Sequence, residues 1–166
     1  MPVAVASTAA VAGTAVAPAP VVRIVAERYD PARFTADHTP NDAGAVVTFT
    51  GLCRSEDGRL AALELEHYPG MAERTIASIA ARAIERHSLA GLAVVHRHGL
   101  VPVGEPIVTV VAASRHRRAA FDGASMLMDF LKTDAPFWKK EHGIGGASGE
   151  WVDAREEDDR ARERWG

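Results

Sequence analysis

Several kinds of residue and segment are scarce or missing in this chain, and each absence excludes a class of protein. Cys53 is the only cysteine in 166 residues, so no internal disulfide forms and no CxxC pair exists for zinc or redox chemistry. No strongly apolar run approaches the length of a transmembrane helix. No heptad array or longer repeat predicts a coiled coil or a solenoid. Glycine motifs for nucleotide loops and hydrolase elbows are also missing.

Excess charge of either sign is missing as well. The chain has 19 Lys and Arg against 22 Asp and Glu, a formal net charge of −3. A general nucleic-acid binder is usually basic, so this balance argues against one. The length and the 47% hydrophobic content are typical of one globular domain. A single unpaired cysteine fits a reducing compartment, and we expect the protein in the cytoplasm.

The first twenty residues lack the charge and the periodicity of a folded segment. They hold eight Ala, four Val and three Pro, and the first charge is Arg23. A signal peptide needs a positively charged start, which is missing, and Pro18 and Pro20 end any helix. We expect a disordered extension over 1–20, with an export signal or a docking arm as alternatives. We expect one folded domain over 21–155 and a charged tail over 156–166, and residues 153–164 are predicted to be either a solvated helix or a frayed tail.

Hydrophobic periodicity and turn residues predict an α+β domain with a mostly antiparallel sheet and flanking helices. The predicted strands are Val21–Glu27, Ala45–Leu52, Leu60–Tyr68, Leu92–His98, Pro106–Ala113, Phe137–Glu141 and, briefly, Glu150–Val152. The predicted helices are a short one capped by Asp30, one over Met71–His87, and one that Ser114 caps and that runs to about Lys132. The glycine-rich segment 142–149 is predicted to be a mobile loop.

The third helix has an amphipathic pattern of its own. We expect Phe121, Ala124, Met128 and Leu131 on its buried face. Its predicted start, Ser114-Arg115-His116-Arg117-Arg118, is unusual because cations in a first turn oppose the helix dipole, at about 0.3–1 kcal/mol each. Free N–H groups there already favour an anion, so the stretch predicts a phosphate or carboxylate site. The alternative is a set of solvated arginines, some paired with the acidic tail.

Two lysines lie among apolar and aromatic residues in the stretch from Phe130 to Glu141. Partial burial lowers the pKa of a lysine and makes it usable as an acid or base, which makes Lys132 and Lys139 candidates for catalysis. The alternative for Lys132 is ordinary, because lysine is favourable at a helix C-terminus. The neighbouring aromatic residues are typical of a core or an interface.

The loop after the second predicted strand supplies further candidates. Loops at strand ends often carry function, and Arg54 is a candidate for the anion site, with a free surface arginine as the alternative. Cys53 has no base paired with it in the sequence, which favours a bystander thiol over a nucleophile. His96 and His98 share one strand face, but further ligands at metal-binding spacing are missing. We therefore expect neither a metal nor a cofactor.

Six blocks of sequence resemble the family of large, catalytic subunits of molybdopterin synthase. In combination they are highly specific, and they cover about residues 21–155 in the family's order. The blocks are GAVVTFTG at 44–51 with Arg54, LEHYPGM at 65–71, SRHR at 114–117, MDFLKT at 128–133, APFWKKE at 135–141 and WVDAR at 151–155.

The resemblance implies a fold, an activity and partners. The fold is of the α/β hammerhead type, and the protein is a sulfurtransferase that forms a homodimer within a heterotetramer. Each subunit binds a small ubiquitin-like sulfur carrier whose C-terminal Gly-Gly tail enters the site as a thiocarboxylate. Two sulfurs move to cyclic pyranopterin monophosphate and form the dithiolene of molybdopterin. A scaffold that binds the carrier without catalysing is the alternative, and a nucleic-acid binder is a weaker one.

The resemblance also assigns residues to the site. Lys132 matches the catalytic lysine of the family, and Lys139 is the second catalytic candidate. Arg155 matches an arginine that the resemblance assigns to the neighbouring subunit's site. The full substrate-binding set is Leu52, Cys53, Arg54, His116, Arg117, Lys132, Lys139, Lys140, Glu141 and Arg155.

Overall fold

Two four-stranded sheets and four helices make up the part of the chain that the computed structural model describes, residues 16–146, 148–152 and 156–166. Most of the predicted N-terminal extension, residues 1–15, lies outside the described residues, and residues 16–20 have no regular structure. The elements are β1 (Val21–Val25), α1 (Pro31–Asp37), β2 (Ala45–Leu52), β3 (Leu60–His67), α2 (Met71–His87), β4 (Gly91–Arg97), β5 (Gly99–Pro102), β6 (Pro106–Ser114), α3 (Arg117–Thr133), β7 (Phe137–Gly143), β8 (Ser148–Val152) and α4 (Glu156–Glu163).

The strands pair mostly antiparallel, which confirms the predicted α+β class. The main sheet has the order β1-β4-β6-β2, in which β1 and β4 are parallel and the other pairs are antiparallel. The second sheet has the order β5-β3-β7-β8 and is antiparallel throughout. No helix in the described ranges is long and apolar enough to cross a membrane.

Helices α2 and α3 pack on one face of the main sheet and form the principal core. The apolar stripe of α2 that the spacing predicts is buried there, from Ile76 to Ile84. On the opposite face of the sheet, α1 contributes Phe34, which packs with Ala93, Val95 and Val111. Asp30 caps α1 as predicted, because its carboxylate accepts the backbone N–H of Ala32.

The prediction for the start and the buried face of the third helix is wrong in two respects. Ser114 is the last residue of β6, buried and paired with Ala45, and the residue that precedes the first turn of α3 is His116. The buried stripe of α3 includes Ala120, Ala124 and Leu127. Phe121 lies one residue, about 100° of helix rotation, away from Ala120 and is 61% exposed.

The prediction for the glycine-rich loop is also corrected, and that for the C-terminal tail is refined. β7 continues to Gly143 and β8 begins at Ser148, so much of the predicted loop belongs to a hairpin. Gly145 and Gly146 adopt φ of +89° and +84° in its turn, a region that favours glycine. A short strand that the sequence did not predict, β5, lies between the predicted strands Leu92–His98 and Pro106–Ala113. The charged C-terminal segment contains α4, as its helical alternative predicted, and the one departure among its described residues is Trp165, which is buried in the principal core.

Candidate functional site

One end of the main sheet gathers several of the candidate residues, and we call it the basic end. It is defined by Leu52, which pairs with Pro106, and by His96, which pairs with Val108. These residues lie on three adjacent strands, so about 10 Å separates the outer two. Phe137, the first residue of β7, stacks on the ring of His96 with 3.9 Å between the centroids. The segment that follows α3 therefore lies at the basic end.

Both candidate lysines come to this end of the sheet. Helix α3 starts directly after β6 and runs back along it, which brings its last turn, with Lys132, to the basic end. Lys139 follows Phe137 by two residues and therefore shares its face of β7. Its partner in the register is Leu65, which is fully buried. The lysine stem thus lies against the inner face of the second sheet and is half-buried.

The strand separates the neighbouring candidates from Lys139. Side chains alternate along β7, so Lys140 lies on the opposite face, where its register partner is Glu64 and its Nζ is 5.8 Å from the centre of the Trp151 ring. Glu141 is on the face of Lys139 but is exposed. The predicted basic segment therefore divides between two surfaces. Only Lys139 and Glu141 share one.

The loop between β2 and β3, residues 53–59, is called the Arg54 loop, and backbone hydrogen bonds hold it beside a cavity of about 600 Å³. The Cys53 N–H donates to the Glu105 carbonyl at 2.9 Å, and the Gly104 N–H donates to the Cys53 carbonyl at 2.8 Å. The Arg54 side chain is exposed and donates from Nη2 to Glu56 Oε1 at 2.7 Å. The cavity is lined by Leu52, Cys53, Arg54, Ser55, Val103 and Gly104.

Cys53 contributes little reactive surface to that cavity. The residue is 1% exposed and packs with Leu65 and Val101. Burial raises the pKa of its thiol, which favours the unreactive protonated form. This environment favours the bystander interpretation of Cys53. Leu52, by contrast, is exposed at the strand end.

Helix α4 packs against the end of α3 that carries Lys132. Asp158 Oδ1 lies 4.0 Å from Lys132 Nζ, and the lysine side chain remains 47% exposed. Arg164 Nη2 and Trp165 Nε1 both donate to Asp129 Oδ2, at 2.7 and 2.6 Å. The C-terminal segment thus supplies an acidic neighbour to the candidate lysine. Arg155, just before α4, lies outside the described residues.

His116 and Arg117 lie at the opposite end of the sheet, beside Ala45 and Ser114, and we call this the far end. A Cβ on Gly44 would stand 2.3 Å from the Arg115 carbonyl oxygen, so only glycine lets β2 approach the helix start so closely. Arg117 and Lys132 are fifteen residues apart on α3, about 22 Å along the helix. One chain therefore does not bring the predicted anion site together with the lysines.

The far end retains the features of an anion site. Both side chains are exposed, and the first turn of α3 contains no acidic residue. The His116 side chain makes no capping hydrogen bond to the helix among the described residues. The backbone N–H groups of the first turn therefore face solvent together with two cationic or polar side chains. That arrangement favours a phosphate or carboxylate.

A stack of four rings beside Lys139 was not predicted as part of the site. His96 and His67 both stack on Phe137, and the His67 and His98 rings are 4.7 Å apart. His96 Nδ1 donates to the Arg97 carbonyl at 2.8 Å, and burial lowers the pKa of His96 to about 4, so the ring is neutral at pH 7. Alternation along β3 does place His67 with Leu65, but only the pairing of β3 with β7 brings the rings together.

Comparison with known proteins gives one consistent result. Residues 24–134 match the MoaE protein family. The chain is 62% identical over 124 residues to the molybdopterin synthase catalytic subunit of Brucella melitensis, covering 75% of this chain and 76% of that protein. It is 58% identical over 149 residues to that of Mesorhizobium japonicum, covering 89% and 94%. The solved structure of the molybdopterin biosynthesis MoaE protein from Burkholderia ambifaria superposes with a TM-score of 0.72 at 41% identity, covering 89% and 98%.

Proposed function

The chain belongs to the MoaE family of molybdopterin synthase catalytic subunits, sulfurtransferases of molybdenum cofactor biosynthesis, and from this premise we propose a specific reaction. A small ubiquitin-like carrier subunit presents its C-terminal Gly-Gly as a thiocarboxylate. The enzyme transfers two such sulfurs to cyclic pyranopterin monophosphate and releases molybdopterin. At one side-chain carbon of the pterin, sulfur forms a bond as the carbon–oxygen bond to the cyclic phosphate breaks and the phosphate ring opens. At the neighbouring carbon, sulfur replaces the carbonyl oxygen, which leaves as water. In each transfer a further water cleaves the acyl–sulfur bond, so that the carrier leaves as a carboxylate.

The observation that carries this proposal is the convergence of Lys132, Lys139 and the Arg54 loop on the basic end. Three separate elements, α3, β7 and the loop after β2, supply these cations. Thiocarboxylate and phosphate are both anions, and positioned cations stabilise the charge that develops as sulfur attacks and the phosphate ring opens. The two lysines also supply donors for the proton transfers that these steps need.

Lys139 has the environment that such a role requires. Its stem lies against buried Leu65, and the neutral ring of His96 lies nearby without adding a competing positive charge. Lys132 keeps an exposed amine beside Asp158. We assign Lys132 and Lys139 to catalysis, and Leu52 and Arg54 to the cavity that receives the carrier tail or the substrate. Lys140, on the other face, is removed from this set.

The separation between the two ends points to a site shared by two copies of the chain. His116 and Arg117 bear the features of a phosphate site, but their own lysines are about 22 Å away along α3. In a two-fold symmetric homodimer packed so that the far end of one copy meets the basic end of the other, the second such contact follows by symmetry and both sites are equivalent. We propose that His116 and Arg117 bind the substrate phosphate for the neighbouring copy, with two carriers completing a heterotetramer.

Reconstitution tests the proposed reaction. The purified chain is mixed with a thiocarboxylated carrier and cyclic pyranopterin monophosphate, and the dithiolene product is assayed. We expect product with the thiocarboxylated carrier and none with the same carrier ending in a plain carboxylate. A scaffold without catalytic function would bind the carrier and form no product in either case, which would refute the proposal.

A further inference from the structure

The guanidinium group of Arg54, which the proposed site offers to an anion, already forms an ion pair with Glu56 of the same chain. Arg54 Nη2 donates to Glu56 Oε1 at 2.7 Å, and the two side chains are 75% and 60% exposed. Arg54 also lines the cavity of about 600 Å³. An anion that binds Arg54 therefore arrives at a cation whose charge is already balanced.

The backbone around this pair is fixed on both sides. The bonds between Cys53 and the turn at Gly104 and Glu105 hold the chain just before Arg54. The Leu60 N–H donates to Ser55 Oγ at 3.0 Å and ties the loop just after it to the start of β3. The backbone that carries Arg54 and Glu56 is therefore anchored on both sides, which keeps the two side chains close together.

We propose that Glu56 is a specificity-determining residue that competes with the anionic group of a substrate for Arg54. This inference rests on the proposed function, because it requires Arg54 to contact substrate. The shared chemistry is an anionic group, which is either the phosphate of the pterin or the thiocarboxylate of the carrier tail. Glu56 screens Arg54 from weakly bound anions, so a ligand keeps its place only when further contacts at the basic end support it.

The same loop provides a matched control. Asp57 pairs with Arg59 at 2.8 Å, and this second pair is exposed in the same way as the first. Asp57→Asn removes the same charge within one residue of Glu56, but its partner arginine does not line the cavity. A change that arises from the loop's overall charge affects both variants equally.

The test measures KM separately for the pterin and for the thiocarboxylated carrier in four proteins: wild type, Glu56→Gln, Asp57→Asn and Arg54→Ala. Freeing an exposed cation from an ion pair is worth about a two- to fivefold change. We expect Glu56→Gln to lower KM by that factor for at least one substrate, and the substrate affected identifies the anion. Asp57→Asn leaves both KM values at the wild-type level.

Combining the variants separates failure of this inference from failure of the proposed site. Glu56→Gln placed on Arg54→Ala is expected to have no further effect on KM. If Arg54→Ala raises KM while Glu56→Gln matches wild type or Asp57→Asn, the role of Glu56 is refuted and the proposed site stands. If Arg54→Ala changes neither KM, Arg54 is not in the site, and both the site assignment and this inference fail.

Discussion

Mixing two inactive variants tests whether two copies share each site. Arg117 stands at the far end and Lys132 at the basic end, about 22 Å apart on one helix. Arg117→Ala and Lys132→Ala are each expected to lose activity, the lysine variant by at least about 100-fold because a proton-transfer group is removed. In a mixed dimer, one site receives both mutations and the other receives neither.

The size of the restored activity follows from this geometry. When the two variants are unfolded and refolded together at equal concentration, about half of the dimers are mixed, and each has one intact site of two. The expected activity is about a quarter of wild type, well above that of either variant alone. The assay is dithiolene formation with excess thiocarboxylated carrier.

A second mixture provides the control. Mixing Lys132→Ala with Lys139→Ala combines two changes that both lie at the basic end, so every site in a mixed dimer lacks one lysine and no activity returns. The reasoning is refuted if the mixture of Arg117→Ala and Lys132→Ala stays inactive while size-exclusion and mass measurements show that mixed dimers have formed.

Three further predictions follow from the described contacts. Lys139→Ala is expected to lower kcat at least about 100-fold, whereas Lys140→Ala stays within about threefold of wild type in the same assay, because Lys140 lies on the other face of β7. Equal losses of activity in the two variants would contradict this assignment of faces. Cys53→Val is expected to keep most of the single-turnover activity with pre-formed thiocarboxylated carrier, because the thiol is buried and the sulfur comes from the carrier. A variant that folds and binds the carrier but forms no product would show that the thiol takes part in the reaction. Burial lowers the pKa of His96 to about 4 in the folded chain, against an ordinary 6.5, so its contribution to stability is complete above pH 6.5 and declines as the pH falls towards 4. Between pH 7 and 5, chemical denaturation is expected to show that the free energy of unfolding falls by about 2 kcal/mol more in wild type than in His96→Phe. Parallel pH profiles for the two proteins would contradict this.

Local sequence was sufficient to predict those elements whose hydrophobic period and capping residues agree with their pairing and burial in the fold. The period of α2 is continuous from Ile76 to Ile84, and the helix has the predicted bounds, Met71–His87. Ser114 shows the opposite case, because it has the chemistry of a cap but the pairing of β2 with β6 extends the strand through it. Tertiary pairing outweighs capping preference there.

The segments with weak local signals needed the tertiary structure. Four glycines between 142 and 149 are typical of a loop, but the edge of β7 supplies hydrogen-bonding partners that order β8. The charged residues after 155 have no apolar period, and a single aromatic residue, Trp165, fixes the end of the chain in the core. One side chain is too small a signal for a periodicity argument.

The chemistry of the site was predictable and its arrangement only in part. Lys132, Lys139 and Arg54 were identified as candidates, and the fold brings them to one end of the main sheet. The alternation that separates Lys139 from Lys140 follows from strand geometry alone and was open to prediction. The distance between Arg117 and Lys132 depends on which way α3 runs over the sheet, so the division of the site between two copies required the fold.

Counting transferred sulfur atoms tests the central claim most directly. The carrier is prepared with ³⁴S in its terminal thiocarboxylate and mixed with this protein and unlabelled cyclic pyranopterin monophosphate under single-turnover conditions with carrier in excess. Mass spectrometry of the product is expected to show two labelled sulfurs in each dithiolene and a carrier that ends in a carboxylate. Product with no label, or a carrier that keeps its thiocarboxylate while product forms, would contradict the proposed sulfur transfer.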